Sequence, residues 1–145
     1  MPSFSTQHPN LAQVGPIAEV LIAPTQQLVQ VLKAQGQPVP SPVKAIAMVD
    51  TGASGTVVTP SIVSALGIQP VGVATMSTPS TTAPVPSRLF NVDLTFVIGN
   101  VNVAGVVAME APLGGQHIQC LIGRDILQHG VLVYIGYINQ FTISF

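Results

Sequence analysis

Asp50 ends the apolar run Ala45-Ile46-Ala47-Met48-Val49 and opens the tight sequence Asp50-Thr51-Gly52-Ala53-Ser54. It is the only acid between Glu19 and Asp93. A carboxylate delivered by a buried strand is costly unless it is paired or put to use. Gly52 lets the backbone bend and admits close approach of another chain. The Thr51 hydroxyl can bond the backbone or a neighbouring loop. Asp and Gly also favour ordinary turns, so the tripeptide by itself fits a turn after a strand equally well.

Other reactive residue types offer less. Cys120 lies in the apolar run Ile118-Gln119-Cys120-Leu121-Ile122, where a buried inert thiol is expected. His117 is three residues away, but no third group that would activate a Cys–His pair is evident. His8, His117 and His129 are too dispersed for a metal-ligand pattern, and no metal or other cofactor is expected. Gly114-Gly115 reads as a turn, since neither a Lys-Ser/Thr pair nor a helix start follows it.

A second segment, Leu121-Ile122-Gly123-Arg124-Asp125-Ile126-Leu127, lies near the chain end. Two apolar residues and a glycine lead there into a short helix. With Met48-Val49-Asp50-Thr51-Gly52-Ala53-Ser54 and the following Thr56-Val57-Val58, its order and separation carry a resemblance. The sequence resembles the retropepsins, the retroviral-type single-domain aspartic proteases, over about residues 17–145. The segment 26–42 and the helix expected at 59–66 look more like cellular and bacterial members than compact viral enzymes.

The resemblance implies a mostly β, retropepsin-like acid protease fold: a closed, barrel-like domain with one or two short helices and a flap hairpin at about residues 71–98. Residues 1–15 are expected as an N-terminal arm, residues 16–145 as the protease domain, and about 140–145 as its dimer strand. Asp50 would be the catalytic residue, one of two carboxylates that grip a water and share one proton. Thr51 and Gly52 would support the active-site loop. Met48, Ala53, Val57 and Leu121 would wall apolar substrate pockets. Met76, near the flap, either touches substrate or packs beneath the hairpin. Ile122, Gly123, Arg124 and Asp125 would form the structural second motif. Neither Asp93 nor Asp125 sits in a second Asp-Thr-Gly, so one aspartate per chain implies a homodimer acting on peptide, at acidic to mildly acidic pH. Viral enzymes commonly place an acid where Ser54 stands, paired with the second-motif arginine. Arg124 must therefore find Asp125, Glu19 or a backbone carbonyl instead. A catalytically weak dimerisation or peptide-binding module is the alternative, and self-cleavage of the arm a further one.

The remaining sequence must position these residues. Its 145 residues fit one domain, and 48% hydrophobic content permits a sizeable core. Val, Ile and Thr, with 13 Gly and 13 Pro, favour short strands and frequent turns. Strands are expected at 17–23, 43–49, 71–77, 88–98, 101–109, 117–122, 131–134 and 140–145. Helices are expected at 26–35, at 60–66 with Thr59 as N-cap and Gly67 as stop, and at 124–128. Pro38, Pro40 and Pro42 mark an extended connector, residues 78–86 a polar hairpin tip, and Asn100 a turn. Four basic and five acidic residues give a net charge of -1, which fits neither a nucleic-acid footprint nor a membrane surface. Such sparse charge suggests apolar surface covered by a second subunit. The opening residues lack a signal-peptide pattern and a single Cys rules out an internal disulfide, so a cytoplasmic location is expected.

Overall fold

The computed structural model describes residues 1–77, 82–115 and 117–145. In chain order the elements are β1 (Ser3–Gln7), α1 (Leu11–Val14), β2 (Ile17–Pro24), α2 (Gln26–Ala34), β3 (Val43–Val49), β4 (Val57–Val58), α3 (Pro60–Leu66), β5 (Gly72–Met76), β6 (Val85–Phe96), β7 (Val101–Glu110), β8 (Cys120–Ile122), α4 (Arg124–Leu127), β9 (Val131–Ile135) and β10 (Gln140–Ser144). Strands β2, β3, β8, β4, β7 and β6 follow one another in a single sheet, and β6 pairs back onto β2, closing a six-strand barrel. The fold is mostly β and retropepsin-like, with few short helices.

Alternation along the strands fills the barrel. Ala18, Val20 and Ile22 point inward from β2, Ala45, Ala47 and Val49 from β3, and Phe90, Val92, Leu94 and Phe96 from β6. Twelve-residue β6 does double duty: Val85–Leu89 pairs with β5 in a hairpin, while Val92–Phe96 pairs with β2. Val85 and Pro86, expected in the hairpin tip, belong to this strand. Pro86 sits where β5 alone flanks the strand, an edge position at which proline is tolerated. Of the other tip residues, 78–81 lie outside the described residues.

The helices arise where their caps indicate. Thr25 Oγ1 accepts from the Leu28 N–H and starts α2. Pro60 occupies the first turn of α3, and Gly67, left-handed at φ 61, ends it. The Thr59 hydroxyl bonds Ser61 rather than a backbone N–H. Asn100 turns the chain into β7 at φ 51.

The two terminal segments lie side by side. Residues 1–15, expected as an arm, carry β1 and α1, and β1 pairs with β10 along its whole length. Phe4 anchors it, buried, with its ring 5.1 Å from that of Phe96. A single Phe among polar residues leaves no strand pattern to read. Within residues 140–145, expected as the dimer strand, β10 lies between β1 and β9.

Candidate active site

Asp50 follows the last residue of β3, and alternation turns it to the side of Met48, opposite the core residues Ala47 and Val49. Its backbone N–H donates to the Ile122 carbonyl at 2.9 Å, tying the carboxylate to β8. The Gly52 N–H donates to Asp50 Oδ1 at 2.8 Å, which sets the carboxylate's orientation. A β-carbon on Gly52 would lie 3.0 Å from that same oxygen, so a side chain here would press on the carboxylate. Asp50 itself is half-buried.

The loop after Asp50 is sewn to the second motif. The Arg124 N–H donates to the Ala53 carbonyl at 2.9 Å and the Asp125 N–H to that of Ser54 at 3.2 Å. Asp125 returns two bonds, accepting from the Thr56 N–H and hydroxyl at 2.9 Å each. Thr56 is fully buried, and its hydroxyl oxygen accepts in turn from the Gly123 N–H at 3.3 Å. A β-carbon on Gly123 would collide with the Gly55 carbonyl, so only glycine lets the two segments lie this close. Arg124 Nη1 donates to the Thr51 carbonyl at 2.7 Å. A backbone carbonyl of the Asp50 loop is thus the partner that Ser54 left it to find.

The apolar candidates fall into one row. Met48 on β3 stands beside Leu121 on β8, and Leu121 stands opposite Val57 on β4. The row continues through Met109 on β7 and Leu89 on β6 to Gly72 on β5. Sequence reasoning missed Met109 and Leu89, because only strand register puts them in line. Met48 is partly shared: Gly15, at φ 76, passes over its sulfur. Ala53 lies on the Asp50 loop, its N–H donating to the Asp50 carbonyl at 3.2 Å. Met76 ends β5 opposite Val85, on the hairpin and apart from the strands that carry Met48, Leu121 and Val57.

The other acids are engaged. Glu19 pairs with Lys44 at 2.8 Å. Asp93 accepts from the N–H groups of Gln26 and Gly105 and so secures the start of α2 and the β6–β7 bulge. Glu110 takes both ends of the Arg88 guanidinium at 2.7 Å, and that contact raises the Arg88 pKa. Asp125 serves Thr56. Among the described residues, the Asp50 carboxylate accepts a single bond, from Gly52.

Burial, with a smaller contribution from the charge of Asp125, pushes the Cys120 thiol up to about 12. The nucleophilic thiolate is therefore suppressed at neutral pH, and His117 is exposed. A groove of about 750 Å³ lies elsewhere, between α2, the proline connector and residues 66–71. Leu28, Val31, Leu32 and Ile68 line it without a titratable side chain, so it offers no acid–base chemistry.

The aspartyl protease family pattern matches residues 26–126, and the chain belongs to that family. Its fold is similar to that of a retropepsin-like aspartic protease from Rickettsia conorii, with a TM-score of 0.50 at 16% sequence identity over 88% of this chain and 90% of the other. No curated protein matches the chain. No helix among the described residues is long and apolar enough to cross a membrane.

Proposed function

We propose that the chain is a homodimeric aspartic endopeptidase whose site is completed when two Asp50 carboxylates, one per subunit, grip a single water. The observation that carries this reading is the disposition of the acids. Four of the five are engaged in contacts within the chain, which leaves Asp50 as the available carboxylate and no second one to join it. Two carboxylates brought together cannot both ionise easily and share a proton. The ionised member takes a proton from the water as the oxygen attacks the scissile carbonyl carbon. The protonated member donates to the carbonyl oxygen as the tetrahedral intermediate forms. Proton return to the amide nitrogen then releases the two peptide products.

Thr51 and Gly52 support the loop in this reading, and Ile122, Gly123, Arg124 and Asp125 hold it from beneath. Ala53, Val57, Leu121 and Met48, extended by Met109 and Leu89, would wall the pockets for substrate side chains. The β5–β6 hairpin would act as the flap and place Met76 near substrate. An extended peptide pairing its backbone with such a hairpin gains affinity independent of sequence, while the apolar row supplies preference.

The test is Asp50→Asn assayed on a peptide library with and without a pepstatin-type inhibitor. Cleavage by the wild type, blocked by the inhibitor and absent from the variant, is the expected result. Equal cleavage by both proteins rejects the assignment. Absence of cleavage by the wild type favours the non-enzymatic peptide-binding module.

A further inference from the structure

Sulfur occurs in Cys120 and in four methionines, Met1, Met48, Met76 and Met109. Cys120 is buried and its thiol stays protonated, which keeps it from an oxidant in the native chain. Met1 is 89% exposed and precedes β1. Met48, Met76 and Met109 are half-buried, and none is part of the buried core. Met48 and Met109 both stand in the apolar row, on either side of Leu121 and Val57. Three strand spacings separate them, at most about 14 Å, which is the span of about four residues of extended peptide. One ligand laid along the row therefore reaches both. Leu121 and Leu89 show that leucine suffices to wall this row. What methionine adds is a flexible, polarisable thioether that an oxidant can attack. Met48 is also confined: Gly15 lies so close that a β-carbon there would be 3.1 Å from its sulfur. An oxygen added to that sulfur has little room on the Gly15 side.

We propose that Met48 and Met109 are a modification site for hydroperoxides, and that their conversion to sulfoxides shuts the apolar row to apolar side chains. The proposal rests on the reading of that row as the wall of the substrate site. In each conversion the sulfur lone pair attacks one peroxide oxygen. The O–O bond breaks as the S–O bond forms, and the proton on the transferred oxygen passes to the departing hydroxide, so that water leaves. The sulfur is oxidised by two electrons and the peroxide is reduced. A flexible apolar side chain becomes a polar, chiral one. An apolar substrate side chain docked there would then bury an S–O dipole without a hydrogen-bond donor, which is costly. Methionine sulfoxide reductases, one for each sulfoxide epimer, reverse the change.

The test treats the full chain with hydrogen peroxide and follows each methionine by peptide mapping and mass spectrometry. Two functions are read beside it: cleavage of an apolar peptide by the wild type, and binding of a fluorescent peptide containing Leu and Phe by Asp50→Asn, which needs no turnover. Conversion of Met1 should change neither. Conversion of Met48 and Met109 should lower kcat/KM and weaken peptide binding by about tenfold or more, with unchanged far-ultraviolet circular dichroism. The two reductases with dithiothreitol should restore both. A Met48→Leu/Met109→Leu chain, whatever rate and affinity it starts from, should hold them through the same treatment. Met48 and Met109 left intact while Met1 is converted overturns the proposal, as does an unchanged affinity once they are converted. A loss that persists in the double variant, which still holds Met76, overturns it too, as does an untreated Asp50→Asn chain that does not bind the peptide. The proposal and the catalytic assignment fail separately. Equal cleavage by wild type and Asp50→Asn removes the assignment and leaves peroxide-sensitive binding standing, whereas peroxide-resistant cleavage does the reverse.

Discussion

Asp125 shows how one side chain can serve the site without belonging to its chemistry. Its two oxygens satisfy the Thr56 N–H and hydroxyl, and Oδ1 also accepts from the Ile126 N–H at 3.0 Å. Asp125→Ala strands these donors, and Thr56 is fully buried, so a loss of about 1–3 kcal/mol is expected in denaturant unfolding. Asp125→Asn keeps an acceptor and should lose less. Gly123→Ala drives a methyl into the Gly55 carbonyl and should cost about 1–3 kcal/mol or prevent folding, as thermal unfolding would show. Cys120 should stay unreactive to thiol reagents in the native protein near pH 8 and react once the chain is denatured. Its pKa is pushed up to about 12, so the thiol stays protonated over the whole working range, and raising the pH toward 12 is what would expose the thiolate.

At the scale of elements, the site depends on register. Asp50 and Asp125 are 75 positions apart in the numbering, and they come together because β3 and β8 pair in parallel while β4 turns back against β8. The same pairings carry the apolar row from Met48 to Leu89. Met109→Ala should therefore weaken cleavage of substrates with large apolar side chains by about tenfold or more in kcat/KM, through lost contact in a pocket. Val107→Ala, two residues earlier on the same strand but exposed and outside that row, should leave kcat/KM unchanged. Peptide series that differ in one side chain would separate the two outcomes. Strand β6 couples hairpin to barrel, since one unbroken element pairs with β5 at its start and with β2 at its end.

At the scale of the whole molecule, the termini and the barrel are one folded unit, because β1 lies along β10 and Phe4 packs on Phe96. Deleting residues 1–7 should expose Phe141 and Ile143, both fully buried, and lower the thermal midpoint rather than release an independent domain. The amino-acid sequence alone was enough to place Asp50, the glycine motif 73 residues beyond it, the helix stops at Gly67 and Asn100's turn, and a mostly β chain. The strands, turns and helix ends are written in local chemistry, apolar alternation with proline and threonine at a helix start and glycine at its stop, whereas Asp50 and the glycine motif stood out through the resemblance their paired sequences carry. The tertiary structure alone decided that Arg124 bonds the Thr51 carbonyl, that Met109 and Leu89 join the apolar row, and that the first residues are a strand. Those facts depend on which strands lie side by side and in what register. Register is a balance of long-range pairings, and a single sequence carries no local mark of it.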